Sequence, residues 1–175
     1  MIADDLSRAL VTFATEKLAD HSAQVKRCAA LLTDAQLWYR PNESSNSVGN
    51  LLLHLRGNIT QWILGGIGGR PFARDRAAEF ARREPIARQE LVGPLSEAVE
   101  EAGRIIQALD AAALVRGYGI QQYRVTGLAA VLHVLEHFAF HTGQIVTTTK
   151  WLLDVDLSLY DVEGHRRDRR DTGAP

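Results

Sequence analysis

Apolar side chains recur at steps of three and four residues in four long stretches of the chain. These stretches cover residues 4–32, 48–64, 86–109 and 126–153. Such spacing places the apolar side chains on one face of an amphipathic helix, and the alternation typical of a strand is almost absent. Four helices with one apolar face each bury those faces best against one another. The pattern therefore predicts an all-α fold, a four-helix bundle.

Turn and capping residues separate the predicted helices. Residues 40–47 are rich in proline, asparagine and serine, and Asn46 or Ser47 can cap the second helix. Thr126 can cap the fourth helix in the same way. The glycine-rich run 65–69 is expected to end the second helix, because glycine has the largest entropy cost in a helix. Residues 116–125 are expected to form an irregular or extended crossing.

The connection between the second and third helices is unusually long for a bundle. It spans residues 70–83 and is polar and rich in arginine. Long connections in compact domains often cover or line a functional site, so this one is expected near any site.

The chain reads as one domain with a short tail. Residues 1–162 show no internal repeat and no composition change that would mark a domain boundary. Residues 163–175 are charged and glycine-ended, so we expect a flexible C-terminal tail.

Composition and charge narrow the class of protein. The formal net charge is −1, which offers no electrostatic footprint for nucleic acid. No apolar run reaches the roughly 18 to 20 residues that span a bilayer, so no membrane partner is expected. The first ten residues lack the basic and apolar regions of a secretory signal. The single cysteine, Cys28, fits a small buried hydrophobe and a reducing environment, so a cytoplasmic location is expected.

Histidines are the candidate chemistry of this chain. His133, His137 and His141 are four residues apart, so they form one stripe on the fourth helix. Two imidazoles at this spacing can bind one divalent metal ion, and bundles build such sites with ligands from facing helices. His54, in the apolar run of the second helix, is the natural third ligand. Three histidines with an open position are typical of catalytic zinc, but nickel or iron also accepts imidazole.

The residues alone also allow an ordinary interpretation. A histidine on an apolar helix face is more often a hydrogen-bonded core residue than a metal ligand, and an H-x-x-x-H pair by itself is a weak signal. An interaction bundle with buried neutral histidines therefore stays open at this point.

A resemblance to a known family adds to this interpretation. Residues 133–144 follow the pattern H-x-x-x-H-x-x-x-H-x-G-Q, which resembles the signature of the DinB-like metal-binding four-helix-bundle superfamily. Residues 46–58 resemble its second-helix signature, a histidine in an apolar context after a capping turn. The resemblance implies that His54, His137 and His141 are the metal ligands and that His133 is not. It also implies a homodimer.

The same resemblance suggests a chemistry. Relatives include YfiT-type metal-dependent hydrolases and S-transferases that use low-molecular-weight thiols such as bacillithiol or mycothiol. It therefore implies an enzyme that acts on a small-molecule substrate, with a divalent cation that activates a bound thiol or water. Many relatives carry an arginine where this chain has Thr142, which leaves the charge of the substrate open. The alternative is a non-catalytic metal-binding or stress-response bundle with a structural or interaction role.

Other polar residues are weaker candidates. His133 and Glu136 are candidates for a general acid or base, and Asn58 and Gln61 for contacts to a bound cofactor. Each of them is equally well explained by an ordinary helix surface, and Trp62 by core packing. The connector arginines are interleaved with acidic residues, which favours a solvated face over an anion-binding mouth. These arginines are Arg70, Arg74, Arg76, Arg82 and Arg83.

Overall fold

The computed structural model describes residues 2–165, and helices dominate them. In chain order the elements are α1 (Ile2–Leu31), α2 (Asp34–Leu37), α3 (Val48–Ile59), a π-helix (Thr60–Ile67), α4 (Arg76–Ala81), α5 (Arg88–Gln107), α6 (Ala111–Val115), β1 (Gly117–Ile120), β2 (Tyr123–Thr126) and α7 (Gly127–Leu153). The four long helical stretches coincide with those predicted from the apolar pattern. The all-α bundle is therefore confirmed.

The core lies where the long helices meet. Helix α1 packs against α5 and α7, and α3 packs against the same two helices. Helices α3 and α7 run in opposite directions, because His54 contacts His137 while Asn58, one turn later on α3, contacts His133. The largest fully buried side chains come from all four long helices. They include Leu18, Leu52, Leu55, Leu95, Ile106 and Phe138.

A capping box fixes the start of α3, as the sequence suggested. Ser47 Oγ accepts a hydrogen bond from the Asn50 backbone at 3.1 Å, and Asn50 Oδ1 accepts one from the Ser47 backbone at 3.1 Å. Asn50 is fully buried, and its Nδ2 also donates to the carbonyls of Glu79 at 2.9 Å and Arg82 at 3.1 Å. One capping side chain therefore also holds the connector against α3.

The glycine run after α3 behaves differently from the prediction. The helix does not end at Leu64 but continues as the π-helix to Ile67. A Cβ added at Gly65 would lie 2.2 Å from the Phe72 ring, and one at Gly66 would lie 2.5 Å from the Ile120 side chain. Because these glycines have no side chain, the connector and the hairpin can pack closely against the π-helix. A sequence pattern does not reveal such contacts. The turn out of the helix falls at Gly69, whose φ is 71°.

Short elements fill the connections that the sequence left irregular. The connector contains α4, and residues 117–126 form an antiparallel hairpin in which Gly117 pairs with Thr126. Thr126 then caps α7, as predicted, by accepting a hydrogen bond from the Ala129 backbone at 3.1 Å. The hairpin thus leads directly into the helix that carries three of the six histidines.

Two further expectations concern the core and the end of the chain. Cys28 is 1% exposed, and burial raises the pKa of its thiol, so the interpretation as a small core residue is confirmed. Within residues 2–165, none of the helices combines the length and the apolar character needed to span a membrane. Most of the predicted tail, residues 166–175, lies outside the described residues.

Asn50→Ala removes one of the two reciprocal hydrogen bonds of the α3 capping box and both hydrogen bonds to the connector. We expect the free energy of unfolding to fall by about 2 kcal/mol, because the Ser47 backbone loses its acceptor and two connector carbonyls lose their donor. Urea denaturation followed by circular dichroism measures this change. Asn42→Ala, in an exposed turn, should change it by less than about 0.5 kcal/mol. Equal effects of the two substitutions would contradict the assigned role of Asn50.

Candidate metal centre

One histidine of α3 and two of α7 meet between these helices. One ring nitrogen from each of His54, His137 and His141 lies within 4.8 Å of the others. His54 Nε2 and His137 Nε2 are 2.8 Å apart, and the rings of His137 and His141 have centroids 4.5 Å apart. His54 is 3% exposed and His141 is 8% exposed. This cluster can hold a metal ion.

The geometry follows from helix periodicity and from the register of the two helices. His137 and His141 are one turn apart on α7, so their side chains share a face. The antiparallel packing brings that face opposite His54, which lies in the middle of α3. His54 itself is buried in an apolar stretch of α3, together with the core residues Leu51, Leu52 and Leu55.

His54 and His141 use their second ring nitrogen to bind the protein. His141 Nδ1 donates to Gln144 Oε1 at 2.7 Å, and His54 Nδ1 lies 2.8 Å from Glu79 Oε2. An amide oxygen and a carboxylate both accept hydrogen bonds, so the proton belongs on Nδ1 in each ring. Each Nε2 is then left with its lone pair for a metal ion.

The partner of His54 belongs to a buried ion pair. Arg74 Nε donates to Glu79 Oε1 at 2.7 Å, and Arg74 Nη1 donates to Gln61 Oε1 at 2.7 Å. The side chains of Arg74 and Glu79 are only 6% and 11% exposed. The predicted solvated face is therefore wrong for Arg74, because Glu79 and Gln61 satisfy its charge in the interior. Arg70, in contrast, is exposed and pairs with Glu101.

Burial and neighbouring charges set the protonation of this layer. Burial would raise the pKa of Glu79, but hydrogen bonds from Arg74 and His54 outweigh it and hold that pKa below its ordinary value. Burial, followed by repulsion from His141 and His54, lowers the pKa of His137 to about 3. Burial also lowers the pKa of His141. Unprotonated imidazole is the form that binds metal ions, so these shifts suit a metal centre.

His133 lies one turn away from the cluster and is held by other contacts. Its ring packs against Trp62 with centroids 3.9 Å apart and the two planes tilted by 31°, and its Nε2 is 3.3 Å from Asn58 Nδ2. Its ring centroid is 5.6 Å from that of His137. Trp62 is a core residue, as predicted, at 6% exposure, and it also fixes the plane of the His133 ring.

The remaining candidates separate into structural and exposed positions. Gln61 accepts hydrogen bonds from Arg74 and Gln121, so it ties the connector to the hairpin. Asn58 is buried against His133, whereas Glu136 is exposed on α7. Thr142 is 3% exposed, so it is a core position of α7.

Sequence reasoning missed the two residues that contact His54 through its Nδ1. Glu79 and Arg74 lie 25 and 20 residues after His54, on a connector without apolar periodicity. Only the length of that connector signalled a role near a site. Phe80, also missed, packs its ring against His54 with centroids 4.5 Å apart.

A groove of about 650 Å³ lies next to the cluster along α7. Its lining residues carry no charged side chain and combine aromatic rings with hydroxyl and amide groups. Gln144 contributes to the groove wall and also binds His141. The groove is therefore continuous with the residues that position one of the histidines.

Comparison with known proteins agrees with the fold and the histidine pattern. Residues 5–163 match the family described as protein of unknown function DUF1572, a DinB-like family. The chain belongs to this family. No curated protein matches the chain significantly.

Solved DinB-like structures share the architecture at low sequence identity. A DinB-like protein from Bacillus subtilis is 18% identical, with a TM-score of 0.62 over 82% of this chain and 94% of that one. A conserved protein from Enterococcus faecalis is 15% identical, with a TM-score of 0.67 over 82% and 97%. A DinB-like protein from Bacillus cereus is 14% identical, with a TM-score of 0.60 over 75% and 85%. At these identities the likeness shows the DinB-like fold.

The metal-free protein should lose stability as the pH falls. The pKa of His137 is about 3 in the folded chain and ordinarily 6.5, so between these values the unfolded chain binds more protons. The contribution of His137 is fully present above pH 6.5 and is lost progressively down to pH 3. Thermal denaturation of chelator-treated protein at pH 7 and pH 5 should show a smaller decrease for His137→Gln than for wild type. The exposed His165→Gln should keep the wild-type decrease, and equal decreases in all three would contradict the burial effect.

Proposed function

We propose that this DinB-like protein binds a divalent metal ion through His54, His137 and His141. The observation that carries the proposal is the convergence of three imidazole nitrogens between α3 and α7. Two of the rings have their Nδ1 hydrogen-bonded to the protein, which leaves Nε2 for the ion. These buried and half-buried rings fit a nitrogen-ligated zinc, nickel or iron ion.

We further propose that the metal serves an enzyme of small-molecule thiol transfer or hydrolysis. Three protein ligands are one fewer than the four that zinc takes, so a substrate or water can complete the coordination. When bound, the cation lowers the pKa of a thiol or water, which supplies a nucleophile at neutral pH. The family resemblance favours a low-molecular-weight thiol as the cofactor.

The residues around the cluster have defined parts in this proposal. His54, His137 and His141 hold the ion, while Trp62 and Phe80 cover the histidine layer and reduce the access of water. The neutral groove beside Gln144 offers a volume for an uncharged part of a small substrate. A cytoplasmic homodimer belongs to the same proposal and rests on the resemblance and the single cysteine.

A non-catalytic metal-binding bundle is the second candidate. It is favoured by one observation, namely that the three histidines join two different helices. A metal ion at this position would cross-link α3 and α7 and stabilise the fold without any turnover.

Metal content tests the binding proposal. Protein purified without an affinity tag should carry about one zinc, nickel or iron ion per chain, measured by inductively coupled plasma mass spectrometry. His54→Ala, His137→Ala and His141→Ala should each lower this content strongly, because each removes a ligand. The exposed His165→Ala is the control and should keep it. A wild-type protein that binds no metal even after reconstitution would sink the proposal.

Turnover separates the enzyme from the structural alternative. With a small thiol and 1-chloro-2,4-dinitrobenzene, metal-loaded protein should accelerate S-conjugation, followed by absorbance, and chelation should abolish the acceleration. Ester hydrolysis followed with p-nitrophenyl acetate covers the hydrolytic branch. If metal raises the melting temperature but accelerates neither reaction across a panel of thiols and esters, the structural alternative holds.

A further inference from the structure

We infer that Glu79, anchored by Arg74, is a positioning residue that fixes the tautomer of His54 and aims its Nε2 at the histidine cluster. The part of this inference that concerns metal affinity rests on the proposed metal binding. The tautomer itself is a property of the chain without metal. It therefore can be tested separately.

The contacts around His54 Nδ1 decide which tautomer is stable. Glu79 Oε2 lies 2.8 Å from Nδ1, and Arg74 Nη2 lies 3.1 Å from it. Arg74 Nη2 already donates to Glu79 Oε2 at 2.9 Å. A proton on Nδ1 gives Glu79 Oε2 a second donor beside Arg74 Nη2. A bare Nδ1 would instead place its lone pair against this carboxylate oxygen. The Nδ1–H tautomer is therefore favoured, and Nε2 stays unprotonated.

A glycine of α3 makes room for this ion pair. A Cβ built at Gly57 would lie 2.0 Å from Glu79 Oε1 and 2.7 Å from Arg74 Nε. Glycine inside a helix lowers stability by about 0.5 to 1 kcal/mol relative to alanine. At this position its lack of a side chain lets the carboxylate and guanidinium lie directly on the helix. We call the space over Gly57 the glycine notch.

Contacts on both sides of the glycine notch hold the connector and thereby position the Glu79 carboxylate. Asn50, which is fully buried, donates to the Glu79 carbonyl at 2.9 Å. Arg74 reaches Gln61 at 2.7 Å, and the Phe80 ring covers His54. Asn50 of α3 thus holds the Glu79 backbone, and His54 of α3 contacts its side chain. Gln61 of the π-helix holds Arg74, which pairs with that side chain. Residues 74–80 form part of the candidate metal centre without contributing a ligand.

A carboxylate on the far nitrogen also makes an imidazole a better donor to metal. Loss of such a partner typically lowers metal affinity about 10- to 100-fold. His141 has a neutral amide as its partner, so among these two rings His54 receives the stronger effect. We expect the Arg74–Glu79 pair to contribute to affinity through His54 alone.

Two variants remove the contact by different routes. Arg74→Met with Glu79→Met replaces both charges together, which avoids leaving a buried unpaired charge. Gly57→Ala leaves both charged residues in place and displaces them from the glycine notch by steric overlap. The matched controls are Arg70→Met with Glu101→Met, a more exposed ion pair between the connector and α5, and Gly103→Ala, a helical glycine with open space around it.

The first measurement is the tautomer of His54 in metal-free protein. Long-range ¹H–¹⁵N correlation spectra of the imidazoles, assigned with His54→Gln, distinguish protonated Nδ1 from protonated Nε2. Wild type and both controls should show His54 as the Nδ1–H form. Both test variants should shift it towards the Nε2–H form. An Nε2–H form in the wild type, or an unchanged Nδ1–H form in both folded test variants, would overturn the inference.

The second measurement is cobalt affinity, by competition with a chelator. Both test variants should bind cobalt about 10- to 100-fold more weakly, and both controls should keep the wild-type affinity. If the His54 tautomer changes but the cobalt affinity does not, the proposed effect of Glu79 on metal affinity is wrong. The role of Glu79 in fixing the tautomer would still hold. If wild type binds no cobalt, the metal proposal fails, while the spectra still decide whether Glu79 positions His54.

Discussion

The antiparallel register of α3 and α7 is the constraint on which this site depends. It places His54 opposite His137, and Asn58 opposite His133 one turn away. A shift of one residue would turn the histidines of α7 away from His54, because successive helical side chains point in different directions. The apolar side chains of both helices fix the register, so core packing and candidate chemistry are set by the same interface.

Burial of imidazoles in that interface has to be compensated. Desolvation lowers the pKa of His137 and His141, and polar partners take up the remaining hydrogen-bonding capacity of His54 and His141. For His54 the partner is a carboxylate that itself needs a buried guanidinium. A buried ion pair adds little net stability compared with apolar residues of similar volume. Its position against a candidate ligand is therefore better explained by the histidine than by the fold.

The connector and the π-helix supply contacts around the candidate site that the four long helices do not. Glycines at positions 57, 65 and 66 allow the ion pair, Phe72 and Ile120 to approach the second long helical segment closely. π-Helical turns are frequent at functional sites, and this one carries both Gln61 and Trp62. The bundle agrees with membership of a DinB-like family, and the contacts at these glycines bring the connector and the hairpin onto it.

The sequence by itself determined the four long helices, the caps at Ser47 and Thr126 and the stripe of histidines on α7, because local periodicity and capping depend on neighbours within a few residues. The apolar context of His54 was also visible, and the family resemblance joined it to His137 and His141. Only the tertiary structure decided that Arg74 is buried, that Glu79 meets His54 and that Gly57 makes room for both. Those contacts join segments 17 to 25 residues apart through an aperiodic connector, and no local pattern encodes such an approach.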